Sequence, residues 1–550
     1  MPSTGRKKHA RVRGRLLSST LCHGDSNVAV RNWCVRIWPG VCAAVVVILL
    51  AGPVDASPKV VYDSTNFFTV GADGYGVLGI TSPDKTAIFG DSLHLTATGK
   101  LTSFTWAAFN GSGSAADLTS ATETISFYRQ SDASLIGSFN ATITDLGKGA
   151  SKTYTADLGS ANIVLDTPDV LVTQQIPYWP PGTPTYRLGI PIATASNTPA
   201  IGSTTAGYYL SQFGSQGAYF TNSSYPNYSS AVYQAVVLPD VTWNTTSGTW
   251  NTSTANWTTG SGPSEAFSDG SQATFNNASG GVVTLSGALA PRAVVVSATG
   301  GNYAFVSTAG NQITGAATLS KSGAGTLLLY GSNTYSGATT VSAGKLLVNG
   351  SLTNSAVTVG NGGTLGGTGP FGSLVAVQSG GVLSPGNSPG ALAAAVLDLQ
   401  AGSTTFMEIV GSGSAAGVAG NDYDQVQITT SGGLTYGGTL DLEFGIGSSF
   451  ANGTSFDLFA FAGFPVGHFS SVVSSGSGVY AGRTFSGAGG IWTSVAGGQQ
   501  LTFSELTGRL TFALAAVPEI DPATGSSAVT LVAGMLAILE QRRRRAKVVA

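Results

Sequence analysis

Apolar and polar positions alternate in short runs along most of the chain. The segments 92–98 and 124–128 both show a clear period of two. Such runs recur at intervals of about ten residues, separated by turn residues, and this is typical of short strands in a sandwich. We therefore predict an all-β fold that begins with a β-sandwich-like domain over residues 57–240.

A regular recurrence of valine and leucine marks the middle of the chain. Val341, Val359 and Val377 lie 18 residues apart. Each is followed by a Gly-containing turn and a leucine, and these leucines are Leu346, Leu365 and Leu383. A fixed step near 20 residues indicates a parallel β-solenoid, in which each coil buries its apolar side by stacking on the next. We predict this solenoid over 241–445, and its end or a small closing β-domain over 446–516.

Three tryptophans open the predicted solenoid. Trp243, Trp250 and Trp257 are spaced seven and seven residues apart. The Asn, Thr, Ser and Gly residues between them are poor helix formers, so a helical heptad is excluded. We interpret the segment as a β-cap whose indoles pack over the end of the stack.

The composition supports many short strands joined by tight turns. Glycine accounts for 76 of the 550 residues, charged residues for only 9%, and hydrophobic residues for 42%. Disordered chains combine low hydrophobicity with high net charge, which this chain does not. Val, Leu, Thr, Gly and Ser are abundant instead, as expected for an all-β protein.

The charges are distributed unevenly. The whole chain has a net charge of -2, but 13 of its 25 Lys and Arg residues lie before residue 41 or after residue 541. Between Ser57 and Val517 there are 12 Lys and Arg against 22 Asp and Glu, a net charge of 12 − 22 = −10. Nucleic-acid binding requires a concentrated basic face, so this acidic body argues against it.

The N-terminal 56 residues have the layout of a secretory signal with a long basic region. Eight Lys and Arg residues precede an apolar run over 41–51, and small residues then favour cleavage between Ala56 and Ser57. An uncleaved anchor or a short buried helix is the alternative. All three cysteines lie before Ala56, so the mature body has no disulfide, cysteine nucleophile or cysteine zinc site.

The C-terminus, residues 517–550, has a second ordered signal. Pro518 and Glu519 form a joint, residues 523–539 are mostly apolar, and a basic tail follows. The tail contains Arg542, Arg543, Arg544 and Arg545, which the positive-inside rule keeps cytoplasmic. We predict a single short transmembrane helix over 523–539.

This end resembles the PEP-CTERM sorting signals of Gram-negative bacteria. The resemblance implies cleavage by an exosortase-type membrane protease and release to the cell surface or matrix. Ile520 departs from the motif, because it stands where a second proline is expected. A plain membrane anchor, transient or permanent, is the alternative.

The segment from Leu319 to Val348 resembles the autotransporter-associated β-strand repeats. It reads Leu-x-Lys-x-Gly-x-Gly-Thr-Leu, then Gly-x-Asn-Thr-Tyr-x-Gly, then Thr-x-Val-x-x-Gly-x-Leu. The segments 383–390 and 420–426 also look like the passenger regions that carry such repeats. The resemblance implies a secreted, right-handed β-helix that provides a structural or adhesive surface. The chain departs from autotransporters because one short apolar segment stands where they have a translocator barrel.

Candidate catalytic residues are sparse. No Asp or Glu occurs between Gly270 and Leu397, so the repeats contain neither a carboxylate pair for glycoside hydrolysis nor a calcium site. Asp422 and Asp424 are two residues apart and would share one face of a strand, which makes them weak candidates for a calcium or acid site. A turn aspartate beside a solvated carboxylate is the alternative. The pair Asp441 and Glu443 ranks next.

The remaining candidates are His94, His468 and the aromatic residues of the first domain. Both histidines lack metal-ligand spacing, so we interpret them as structural. The aromatic residues of the segments 177–182 and 210–235 could bind a sugar face, whereas ordinary packing is the alternative. No cofactor, catalytic residue or metal site is expected.

These observations predict a non-catalytic structural or adhesive protein, exported to the bacterial surface or the extracellular matrix. A carbohydrate-binding surface protein is the alternative, and a polysaccharide lyase or hydrolase is a third. The expected partners are signal peptidase, an exosortase-type protease, the membrane before processing, and extracellular polysaccharide or neighbouring surface proteins.

Overall fold

The protein is described from a computed structural model. It covers residues 54–55, 58–63, 76–79, 87–110, 114, 116–176, 188–194, 203–204, 207–212, 218–221, 228–231, 233–260, 262–411, 417–515 and 535–541. Several predicted features lie outside these ranges, namely Ala56, Ser57, the segment 177–182, Pro518, Glu519 and the arginines Arg542, Arg543, Arg544 and Arg545.

In the described part of the chain, sixteen strands lie before residue 240. They are β1 (Val54–Asp55), β2 (Lys59–Asp63), β3 (Gly76–Gly79), β4 (Ala87–His94), β5 (Gly99–Asn110), β6 (Leu118–Arg129), β7 (Leu135–Leu146), β8 (Ser151–Asp157), β9 (Val164–Leu165), β10 (Asp169–Ile176), β11 (Leu188–Thr194), β12 (Ser203–Thr204), β13 (Gly207–Gln212), β14 (Ala218–Thr221), β15 (Tyr228–Ala231) and β16 (Tyr233–Pro239). We call β2 to β16 the antiparallel region.

The antiparallel region consists of two sheets that share one core. One sheet has the order β14-β13-β4-β10-β6-β7, and the other has the order β15-β11-β5-β16-β2. Alternate residues of each strand face inward. Phe104 of β5 meets Phe127 of β6 edge to face across the two sheets, with ring centroids 5.1 Å apart. Two antiparallel sheets packed in this way have the architecture expected of a β-sandwich.

The strands after residue 240 are more numerous and shorter. They are β17 (Val241–Trp243), β18 (Gly248–Trp250), β19 (Trp257–Thr258), β20 (Ser264–Ala266), β21 (Gln272–Phe275), β22 (Gly280–Leu285), β23 (Ala288–Leu289), β24 (Ala293–Val296), β25 (Asn302–Val306), β26 (Gln312–Ile313), β27 (Thr318–Lys321), β28 (Thr326–Leu329), β29 (Ser332–Asn333), β30 (Thr339–Val341), β31 (Gly344–Val348), β32 (Ser351–Leu352), β33 (Val357–Val359), β34 (Gly363–Gly366), β35 (Pro370–Val377), β36 (Val382–Leu383), β37 (Ala391–Leu399), β38 (Thr404–Ile409), β39 (Gln425–Ile428), β40 (Leu434–Tyr436), β41 (Thr439–Phe444), β42 (Ser455–Asp457), β43 (Phe459–Ala460), β44 (Val466–Gly467), β45 (Ser471–Gly476), β46 (Ser486–Ala488), β47 (Ile491–Ala496), β48 (Gln499–Ser504) and β49 (Arg509–Leu514). We call residues 241–476 the parallel region.

Two long sheets form the parallel region, one of 17 strands and one of 10. In the larger sheet Val341 pairs with Val359 and Val359 with Val377. In the smaller sheet the leucines at the predicted step also pair in sequence, and they are Leu346, Leu365 and Leu383. All six side chains are fully buried. The parallel pairing is compatible with a β-helix, and the all-β prediction is confirmed.

The three tryptophans form an aromatic cluster at the start of the parallel region. Trp243 and Trp257 have ring centroids 5.0 Å apart, and Trp250 lies 5.2 Å from Trp257. All three indoles are at most 2% exposed. Phe275 and Phe305 from the following coils pack against Trp250, so the indoles lie in the core of the first coil.

A five-stranded antiparallel sheet in the order β42-β49-β48-β47-β46 lies at the other end, and we call it the closing sheet. Parallel pairing continues past residue 445, because β43 pairs with β39, β44 with β40, and β45 with β41. The chain therefore alternates between coil and closing sheet over residues 446–476.

The sorting segment is described only in part. A short helix spans residues 535–541, and its side chains are exposed. Among the described residues, no helix has the length and apolar character needed to span a bilayer. Of the predicted transmembrane helix over 523–539, only residues 535–539 are described. The structure therefore does not support that prediction.

Candidate functional site: the outward face of the parallel region

A continuous outward row of side chains follows the larger parallel sheet. Cross-strand pairing aligns Thr242, Thr274, Val295, Ser320, Thr340, Thr358, Ala376, Asp398, Thr435 and Val466. Most members carry a hydroxyl group, and neighbouring strands in a sheet lie about 4.8 Å apart. The first seven positions are uncharged. The outward row is rich in hydroxyl groups but not uniform, because Val295, Ala376 and Val466 have no hydrogen-bonding side chain and Ala376 is only 8% exposed.

The inward row beside it is apolar except at Lys321. Val296 and Val341 flank Lys321 on the neighbouring coils. Lys321 is only 1% exposed. Its Nζ donates to the carbonyl oxygen of Gly323 and, at 3.1 Å, to that of Ala343 on the next coil. Burial lowers the pKa of this ammonium group. The lysine therefore stabilises two successive corners of the coil, a role that alternation alone does not reveal.

A buried hydroxyl network accompanies the lysine. Tyr335 and Thr339 are hydrogen-bonded at 2.8 Å, and Thr339 contacts Ser355 of the next coil at 2.8 Å. Ser355 donates to the carbonyl of Gly337 at 2.7 Å. Burial raises the pKa of Tyr335 to about 12. These contacts satisfy polar groups inside the stack and do not present a reactive group to solvent.

The structure corrects the expected placement of Asp422 and Asp424. They do not lie on one face of a strand: Asp422 is in a turn, and Asp424 directly precedes β39. Asp422 Oδ2 accepts the backbone N–H of Val418 at 2.7 Å. Asp424 is fully buried and accepts the backbone N–H groups of Gly390 and Glu408 at 2.7 and 2.9 Å. The two carboxylates thus accept hydrogen bonds from backbone N–H groups of different segments.

An acidic neighbourhood surrounds Asp424. Burial raises its pKa to about 7, and the nearby charges of Glu408 and Glu443 act in the same direction. Glu408 and Glu443 are cross-strand partners on β38 and β41, and the pKa of Glu443 is raised by burial, Glu408 and Asp441. No set of three or more His, Cys, Asp or Glu side chains suited to a metal ion occurs in the described part of the chain.

Each described histidine contacts a carboxylate through Nδ1. His94 lies 2.7 Å from Asp169 Oδ1 on the neighbouring strand, and both side chains are half exposed. His468 lies 2.6 Å from Glu505 Oε2, and that glutamate is almost fully buried. Both carboxylates are distant in sequence, so sequence spacing alone gives no sign of either pair.

Several described aromatic side chains of the antiparallel region form part of its core. Phe104, Trp106 and Phe127 are at most 2% exposed, and Tyr233, from the segment 210–235, is fully buried. The other aromatic side chains of that segment lie outside the described side chains. Phe104, Trp106, Phe127 and Tyr233 are therefore packing residues, whereas Phe109 and Tyr128 are partly exposed.

Comparison with known protein families identifies the repeat. Residues 319–348 match the passenger-associated-transport repeat. This transport repeat runs from β27 to β31 and includes Lys321 and Tyr335. The predicted autotransporter-associated repeat is therefore confirmed at these residues.

A second match lies at the C-terminus. Residues 517–547 match the VPEID-CTERM protein sorting domain. The five letters of that name are Val517 to Asp521, so Ile520, which departs from the proline motif, belongs to the matched pattern. The chain carries a C-terminal sorting signal of the predicted kind.

One curated relative is an adhesin. The chain is 42% identical over 77 residues to the adhesin BmaC autotransporter of Brucella suis biovar 1 (strain 1330). The match covers 14% of this chain and 2% of that protein. The chain thus spans only a small fraction of the relative's length.

Proposed function

We propose that this is a non-catalytic, surface-displayed protein of the cell envelope or extracellular matrix, with an adhesive or structural role. The observation that carries the proposal is the position of the transport repeat inside a stack of parallel strands whose outward row is uncharged from Thr242 to Ala376 and rich in hydroxyl groups. A surface of this kind offers many weak, equally spaced contacts. The similarity to an adhesin supports the same role.

The proposal includes a route to the surface. The N-terminal signal would direct export, and an exosortase-type protease would act at the joint containing Pro518 and Glu519. The proposal also includes a right-handed winding of the coils and a stage at which residues 523–539 lie in the membrane. At the surface, the protein would contact polysaccharide or neighbouring surface proteins. The match to a sorting domain supports the processing step.

The adhesive role is tested on the outward row. Thr340→Ala with Thr358→Ala removes two hydroxyl groups on adjacent coils of the larger sheet. Each lost hydrogen bond to a ligand costs about 1 kcal/mol, so the loss of two should weaken binding about 30-fold. Binding of the secreted protein to glycan arrays, immobilised protein and bare glass is the measurement.

The matched control is Thr326→Ala with Thr364→Ala. These threonines point outward from the smaller sheet in the same part of the stack. Their loss should leave binding unchanged. Equal effects of the two double variants would contradict the assignment to the outward row, and absence of binding to every surface would contradict the adhesive role.

The processing step is tested by the intact mass of the native protein from cell surface and medium. Cleavage at the joint predicts a species that lacks residues 523–545. Recovery of a surface species that retains those residues would favour the plain membrane anchor and contradict release.

A further inference from the structure

Glu505 joins the closing sheet to the last coil of the parallel region. It lies in the turn between β48 and β49, and its side chain is 4% exposed. Its Oε1 accepts the backbone N–H of Phe469 at 2.9 Å and Trp492 Nε1 at 2.8 Å, while Oε2 accepts from His468 Nδ1 at 2.6 Å. His468 and Phe469 lie between β44 and β45, and Trp492 lies on β47. One carboxyl group therefore connects three segments.

The closing sheet and the segment 482–485, which precedes β46, cover strand edges at this end of the stack. On β45, three backbone hydrogen bonds of 2.8–2.9 Å connect Val472 and Ser474 with the segment 482–485. On β43, the N–H of Phe459 donates to the carbonyl of Gly508 at 3.0 Å, and Gly508 follows Glu505 in the same turn. An uncovered sheet edge is a template for pairing with another chain.

Apolar side chains lie beside these edges. Phe464 is 78% exposed and Val466, on β44, is 56% exposed. If the turn around Glu505 opened, the freed backbone groups of β43 would lie in the same coil as these apolar side chains. Such a combination favours strand pairing between copies of a chain over contact with water.

We propose that Glu505 is a latch that holds the closing sheet on the last coil and thereby prevents strand pairing with a second copy of this chain. The latch depends on the carboxyl group because it satisfies three donors at once. Charge-assisted hydrogen bonds of this kind are about twice as strong as neutral ones. The apolar contacts of the closing sheet place it on the coil, and the latch keeps the turn 505–508 closed.

Hydrogen exchange measured by mass spectrometry on the full chain tests the latch. In Glu505→Ala, amides of the segments 458–461 and 472–485 should exchange more than about tenfold faster than in the wild-type protein, because three donors lose their acceptor. Amides of the transport repeat should not change. Glu505→Gln keeps one acceptor oxygen and should fall between the two. The apparent mass in light scattering should rise with concentration for the alanine variant.

Asp457→Asn is the matched control. Asp457 is also a carboxylate of the closing sheet, but it is 46% exposed and pairs only with Arg509 on the neighbouring strand. Its loss should leave both the exchange pattern and the mass unchanged.

Two further variants keep the test decisive if Glu505→Ala fails to fold. Trp492→Phe and His468→Phe each remove one donor to the latch and keep an aromatic ring, so each should produce a smaller increase in exchange at the same segments. Unchanged exchange in the folded variants would overturn the latch. If exchange at these segments rises but the variant stays monomeric at every concentration, the role of Glu505 in preventing strand pairing is overturned.

Discussion

Glu123 is a carboxyl group enclosed by the core of the antiparallel region. It is 1% exposed, and Trp106 Nε1 donates to its Oε1. Its Oε2 has no hydrogen-bond partner among the described residues. Burial raises the pKa of Glu123 to about 8, although the hydrogen bond from Trp106 acts in the opposite direction. The group is therefore neutral in the folded protein at pH 7 and charged in the unfolded chain.

This difference predicts a pH-dependent stability that Glu123→Gln should abolish. The folded pKa is raised, so the stabilisation is fully present below the unfolded value of 4.5 and is lost as the pH rises through about 8. Glu123 alone should lower the free energy of unfolding by about 1.4 kcal/mol per pH unit in this window. Urea midpoints from pH 5 to 8.5 provide the measurement.

The difference in the free energy of unfolding between the wild-type protein and Glu123→Gln at each pH isolates the contribution of Glu123. Asp424, whose pKa is also raised by burial, contributes equally to both and cancels in the difference. A difference that stays constant over the whole range would contradict the assignment.

At the scale of the element, the transport repeat depends on close approach between coils. Gly323 lies in the corner between β27 and β28, where an added Cβ would be 1.9 Å from the carbonyl oxygen of Ala298 on the preceding coil. Gly360 lies in another corner of the same region, where an added Cβ would meet its nearest neighbour, the Val341 oxygen, at 3.9 Å. A side chain at Gly323 would therefore clash with the preceding coil, whereas one at Gly360 would not.

Gly323→Ala should destabilise the protein by about 3 kcal/mol, because overpacking forces the coils apart. Gly360→Ala should change the free energy of unfolding by less than about 0.5 kcal/mol. Urea unfolding followed by circular dichroism measures both. Similar urea midpoints for the two variants would show that the stack tolerates a Cβ at Gly323 without loss of stability.

At the scale of the whole molecule, the antiparallel and parallel regions meet without a linker. Asp240 separates β16 from β17, and its Oδ1 accepts Arg292 Nη2 at 2.6 Å and the backbone N–H of Gln272 at 3.1 Å. Lys59 of β2 pairs with the buried Glu265 of β20. The two regions are thus joined by ion pairs as well as by the chain.

A double-mutant cycle on Asp240 and Arg292 should give a coupling energy of about 1–2 kcal/mol. The side chains of Arg292 and Asp240 are 23% and 17% exposed, so solvent screens their interaction only in part. The exposed pair of Asp457 and Arg509 should give less than about 0.5 kcal/mol. Unfolding free energies of the single and double variants are measured, and equal coupling in the two cycles would contradict a stabilised junction.

Features that depend on local pattern can be predicted from the amino-acid sequence. Period-two alternation and composition predict an all-β chain, and the step of 18 residues places Val341, Val359 and Val377 in one buried row. The motifs at 319–348 and 517–547 were also readable, because their residues are contiguous. Periodicity reports which face of a strand is buried, and contiguous motifs need no knowledge of the fold.

Contacts between residues that are distant in sequence become visible only in the folded structure. Lys321 occupies an inward position that alternation would assign to an apolar residue, because corner carbonyls of two coils are within its reach. Glu505 reaches His468 across 37 residues, and Asp424 reaches Gly390 across 34. The turn that contains Asp422 overrides the strand expected there. Such contacts arise from the stacking of coils, and the spacing of residues along the chain does not encode them.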